Sequence, residues 1–109
     1  MHDRNNRTAL PLALAAFAAL AALPAQASEA IAKKARCVAC HAVDKKMVGP
    51  SYRDVAAKYR GDAGAPALLA QKVRQGGSGV WGQVPMAPHP ADKIGDADLA
   101  AVIDWVLQQ

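Results

Sequence analysis

The chain has 109 residues, 13 Lys and Arg against 9 Asp and Glu, a formal charge of +4 and a hydrophobic fraction of 52%. The charges are scattered and form no basic run, so the composition carries no nucleic-acid signature. The apolar fraction is inflated by alanine and by the first residues, which form a segment of their own.

Arg4 and Arg7 precede an apolar run from Ala9 to Leu23, and Pro24-Ala25-Gln26-Ala27 follows it. A basic start, a short apolar stretch and an A-x-A site make a secretory signal peptide. The run of 15 residues falls short of the roughly 20 needed to span a bilayer. Cleavage is expected after Ala27, which makes 1–27 a removed leader and 28–109 one mature domain with no stable membrane insertion. Removing Arg4 and Arg7 from the basic count and Asp3 from the acidic count leaves 11 against 8, a weak +3. A domain of 82 residues buries little apolar surface and calls for a metal, disulfide or cofactor as a staple.

Four helical stretches follow in order. Ser28 to Arg36 opens on an N-cap residue with Glu29 behind it and gathers Lys33, Lys34 and Arg36 near its end, as the helix dipole favours. Ser51 to Arg60 places Tyr52, Val55, Ala56 and Tyr59 on one face, with Gly61 positioned for a left-handed C-terminal cap. Ala65 to Gln75 carries Pro66 in its first turn, Leu68, Leu69 and Val73 on one side, and Gly76-Gly77 beyond its end. Asp96 to about Gln108 aligns Leu99, Val102, Ile103 and Val106, with acidic residues at its start. No stretch alternates with period two. The expected fold is all-α, three to four short helices joined by Gly- and Pro-rich loops at 42–50 and 76–95. Long loops in so small a domain usually pack on something or perform something.

Both cysteines sit in Cys37-Val38-Ala39-Cys40-His41. Structural zinc needs four N or S ligands, and beyond this cluster the mature chain offers only His89. A thioredoxin-type pair belongs to a strand-helix unit, and no strands are expected. A disulfide between positions three apart closes a tiny loop and stabilises little. The remaining chemistry is covalent attachment of haem c: both thiols bond the porphyrin edge, and the adjacent imidazole becomes the proximal iron ligand. Two thioethers on one turn of chain leave His41 little freedom to miss the metal.

An electron carrier then needs a sixth iron ligand, for which the candidates are Met47, Met86 and His89. Met47 lies six residues after His41, and a chain of that length spans about 20 Å when fully extended, nearly all of it consumed in rounding the porphyrin. Met86 lies in the longest loop between Pro85, Pro88 and Pro90, which reduce the freedom lost on coordination. It is the favoured ligand. His89 is the rival, and imidazole would give a lower potential than thioether.

The segments CVACHAVDKKMVGPSYRDVAAKY, GSGVWGQVPMAPH and WVLQ resemble the small bacterial class I cytochromes c, and within them the c-551/c-552 (c8) group. The resemblance implies the small cytochrome c fold, helices wrapped around one covalently attached haem c on Cys37 and Cys40, with His41 and Met86 as axial iron ligands. It also implies that the Pro50 backbone orients His41 and that the Trp81 indole reaches a haem propionate, whereas Trp105 reads as core. Gly76, Gly77, Gly79 and Gly82 would let backbone lie close to the cofactor. Two departures stand out: His89 replaces a common asparagine, and Lys72 replaces a common arginine.

With both axial positions filled by protein, the expected function is soluble periplasmic electron transfer by a monomer, one electron at a time and without catalysis. Its partners would be periplasmic redox proteins, for example nitrite reductase, an oxidase or a peroxidase. Val38, Ala39, Met47, Val48 and Val84 are candidates for an apolar contact patch, with Lys33, Lys34, Lys45 and Lys46 around it. The alternative is a haem-based enzyme or gas sensor with a labile sixth ligand.

Overall fold

A computed structural model describes residues 17–109, with side chains from Ala25 onward. The expected leader therefore lies outside the described residues as far as position 16. The elements run α1 (Phe17–Lys34), a short 3-10 turn (Cys37–Ala39), α2 (Tyr52–Tyr59), α3 (Ala65–Gln75), β1 (Gly77–Gly79), β2 (Gly82–Met86) and α4 (Asp96–Leu107).

Helix α4 is the common partner of α1, α2 and α3. Its stripe of Leu99, Val102, Ile103 and Val106 is buried, as the 3.6-residue period requires. Helix α1 adds Ala32 to this core and the residue just past its end adds Ala35, small side chains that let two backbones approach. Helix α2 buries Tyr52, Val55, Ala56 and Tyr59, the face expected from its spacing. In α3 only Ala65 is fully buried, while Leu69 and Val73 are half-buried at the margin of the core.

The helix ends follow their capping residues. The Ser51 hydroxyl accepts the Asp54 N–H at 3.0 Å, which satisfies one of the orphan donors of the first turn. Past α3, the Gly76 N–H donates to the Lys72 carbonyl at 2.7 Å and the residue takes φ 65°.

Three local features differ from the sequence reading. Helix α1 runs unbroken through Ser28, so Ser28 lies inside the helix and is not its N-cap. The first mature helix stops at Lys34 instead of running to Arg36, because Arg36 adopts φ 66°, a left-handed conformation that breaks a helix and costs a non-glycine residue roughly 1–2 kcal/mol. The 76–95 loop also contains an antiparallel hairpin, in which Gly77 pairs with Met86 and Gly79 with Gly82. Period-two alternation could not reveal it: β1 is Gly-Ser-Gly, and nearly every residue of both strands is exposed.

Between Cys40 and α2 the loop is tied back by its own backbone. The Gly49 N–H donates to the Cys40 carbonyl at 2.8 Å, Tyr52 to Ala42 at 2.9 Å and Arg53 to Val43 at 3.0 Å. These bonds set the cysteine turn beside the start of α2. Replacing Ser51 by Ala is expected to lower unfolding free energy by about 1 kcal/mol, measured by urea denaturation, with the visible spectrum unchanged.

Candidate metal centre

The thiols and the imidazole come from a single turn. The Cys37 carbonyl accepts both the Cys40 N–H at 3.1 Å and the His41 N–H at 2.9 Å, so residues 37–41 coil into one unit. Cys37 and Cys40 are free, half-buried thiols. Burial pushes the Cys37 thiol above its ordinary pKa, with a backbone hydrogen bond opposing the shift. A raised pKa is the reverse of the depressed thiolate that a redox-exchange cysteine uses.

Three contacts fix the His41 ring. Its Nδ1 lies 2.8 Å from the Pro50 carbonyl oxygen; because a carbonyl only accepts, Nδ1 carries a proton, and in the neutral ring this leaves the lone pair on Nε2. Tyr52 stacks on the ring at 5.6 Å between centroids and 19° between planes. On Gly49, a Cβ would fall 2.5 Å from His41 Cε1, so only glycine allows the ring its position. Tyr52 is held in turn by Trp105 in an edge contact at 5.3 Å. Burial first, and the neighbouring Cys37 second, push the Tyr52 phenol up to about 12.

Cys37, Cys40, His41, Pro50, Trp81 and Met86 all line one cavity of about 400 Å³, within the roughly 300–1,000 Å³ range of cofactor pockets. Much of the wall is apolar: Val55 and Tyr59 from α2, Leu69 and Val73 from α3, and the whole buried stripe of α4 open onto it. His89 and Lys72 line it too, whereas Met47 does not and is 42% exposed. Of the three candidate sixth ligands, Met86 and His89 line the cavity. The His89 ring Nδ1 lies 2.9 Å from the Ala87 carbonyl.

Trp81 occupies the two-residue turn of the hairpin and is 41% exposed. The Lys58 ammonium stands 5.7 Å from its ring centroid, a cation-π contact. Tyr52 against His41, Gly49 beneath it and Lys58 over Trp81 were not assigned from sequence. The adjacency of Gly49 to Pro50 was the one signal available for the second.

The donor chemistry fits a haem. Among the described residues no group of three or more His, Cys, Asp or Glu side chains is placed to hold a metal ion. Imidazole and thioether in an apolar cavity are ligands for a metal whose other positions a macrocycle fills, and two thiols at the cavity edge suit its covalent attachment.

A small helical fold built around an apolar cavity, with a Cys-x-x-Cys-His turn in its wall, defines the class: a protein that carries a covalent haem. Comparison with known proteins is more specific. The family described as Cytochrome c matches residues 25–109. Cytochrome c2 of Rubrivivax gelatinosus is 53% identical over 78 residues, covering 72% of this chain and 92% of that protein. Cytochrome c-551 of Pseudomonas aeruginosa is 51% identical over 81 residues, covering 74% and 75%. Cytochrome c-552 of Nitrosomonas europaea is 48% identical over 101 residues, covering 93% and 96%; its crystal structure matches with a TM-score of 0.67 over 73% of this chain and 96% of that one. The chain belongs to the cytochrome c family, in the c-551/c-552 group of class I, and it carries one covalent haem c. Its relatives are small electron-carrying cytochromes.

Replacing Gly49 by Ala forces the His41 ring or the 49–50 backbone to shift. Overpacking of this kind costs about 1–3 kcal/mol, to be read as a lowered urea midpoint of the haem-loaded protein.

Proposed function

We propose that this chain is an exported, soluble one-electron carrier in which His41 and Met86 are the axial ligands of the haem iron. Bound through Cys37 and Cys40, the haem supplies a one-electron couple at its iron. The observation that carries the reading is the His41 ring, protonated on Nδ1 by its bond to Pro50, with Nε2 free as a donor and Met86 in the wall of the same cavity. A carbonyl partner of this kind fixes the tautomer and raises the basicity of the ligating nitrogen. Met86 is half-buried in a segment stiffened by Pro85, Pro88 and Pro90, so its thioether is presented with less freedom to lose. With both axial positions occupied by protein, no open site remains for a substrate, which distinguishes a carrier from an enzyme.

Trp81 stands in the cavity wall, where its indole N–H is the donor for a haem propionate; Lys72 adds positive charge to that wall, and Lys58 stands over the Trp81 ring. Val38, Ala39, Met47, Val48 and Val84 are all exposed, as are Val80 and Trp81; together they are the proposed apolar docking patch. Lys34, Lys45 and Lys46 steer an acidic redox partner towards it. Lys33 pairs with Glu29 at 3.3 Å, a surface contact worth little. The partners are periplasmic donors and acceptors of the respiratory kind, such as a nitrite reductase, an oxidase or a peroxidase, and the carrier acts as a monomer.

Export through a leader cleaved after Ala27 is part of the same proposal. Support comes from burial: positions 25–27 are exposed, and Ser28 is the first buried residue that follows. Among the described residues no helix is long and apolar enough to cross a membrane.

The ferric protein is expected to show the weak far-red charge-transfer band of thioether-ligated haem iron, and Met86→Ala to abolish it while the haem stays covalently attached. A wild-type protein without that band, or a variant that keeps it, contradicts Met86 as the ligand.

A further inference from the structure

Arg74, in the last turn of α3, reaches across to the far loop and closes it at both ends. Its Nη1 donates to the His89 carbonyl at 3.1 Å and to the Ile94 carbonyl at 2.6 Å. Its Nη2 donates to the Asp96 carboxylate at 2.6 Å, at the first residue of α4. Val73 beside Arg74 and Gly76 just past the end of α3 reinforce the junction. The Val73 carbonyl accepts the His89 N–H at 2.9 Å, and a Cβ on Gly76 would fall 2.8 Å from Pro88 N and closer still to the Met86 carbonyl oxygen. The C-terminal end of α3 is thus a dock for the segment from Met86 to Asp96.

The guanidinium contributes geometry more than charge. The Asp96 side chain is 96% exposed, so its ion pair is screened by water and worth little. The two carbonyl bonds are half-buried and join positions five residues apart in the loop. Only a planar fork with several donors holds two carbonyls and a carboxylate at once. A thioether is a weak, neutral ligand, so its occupancy at a metal depends on how well its loop is pre-ordered.

We infer that Arg74 is a positioning residue for Met86: its fork to His89, Ile94 and Asp96 holds the loop that presents the sixth ligand. The inference rests on the proposed His41/Met86 ligation. Loss of the fork leaves iron attachment intact and raises the fraction of molecules in which Met86 is displaced.

The test is imidazole titration of the ferric, haem-loaded protein, because imidazole competes with Met86 for the sixth position. Arg74→Ala is expected to bind imidazole at least tenfold more tightly than wild type, and Arg74→Lys, which keeps the charge without the fork, several-fold more tightly. Asp96→Asn leaves both carbonyl bonds and should stay within twofold of wild type. Ala32→Gly, a packing defect at the α1/α4 contact, controls for general destabilisation: it lowers the urea midpoint with imidazole affinity unchanged. The role of Arg74 is overturned if neither Arg74 variant binds imidazole more tightly than Ala32→Gly, or if Asp96→Asn reproduces Arg74→Ala in full. A wild type with no far-red band, whose imidazole affinity Met86→Ala does not raise, overturns the ligation itself and the inference with it; a wild type with the band confines any failure to Arg74.

Discussion

The hydrogen bond from the His41 ring to the Pro50 carbonyl, at 2.8 Å, is the constraint on which the site depends. It fixes which imidazole nitrogen keeps a lone pair, and that choice decides whether the turn holding both thiols can also hold a metal. Its geometry needs Pro50 beside the cysteine turn, which the backbone bonds from Gly49 to Cys40 and from Tyr52 to Ala42 secure. Gly49 leaves room for the ring, Tyr52 covers it, and Trp105 supports Tyr52. A chain of small contacts therefore connects α4 to the orientation of one ring.

The two sides of the cavity are held by different physics. On the cysteine side, one tight turn carries both thiols and the imidazole, so covalent attachment and ligation come from neighbouring residues. On the methionine side, Met86 ends a hairpin and begins a proline-rich loop with little buried surface of its own, and that loop is tied to α3 through Arg74, Val73 and Gly76. Low local burial marks the segments that open most readily. The same apolar stripe of α4 that forms the core also lines the cavity, so a group seated there completes the core. This accounts for how a domain of this size folds with so few large buried side chains.

Most of this was legible in the sequence. Helices α2, α3 and α4 follow from spacing and caps: Tyr52 to Tyr59, the Gly76 terminus and the Leu99 to Val106 stripe are local signals read by local rules. Six candidate site residues were named from the sequence, four from the chemistry of thiols, imidazole and thioether, and Pro50 and Trp81 through family resemblance. The structure gathers all six around one cavity. The hairpin was not legible because its strands are glycine-rich and exposed on both faces. Nor was the stop at Lys34, since nothing in an arginine announces a positive φ. Arg74 and Gly49 escaped notice for a different reason: their importance lies in partners 15 to 22 residues away or in a clash that no spacing pattern encodes.

X-ray absorption at the iron edge of the ferric protein is the most direct test of His41/Met86 ligation. That ligation gives a first shell with a single sulfur neighbour, contributed by Met86, and nitrogen in every other position. A first shell of nitrogen alone, as His89 ligation would give, or one in which oxygen replaces sulfur, would contradict it.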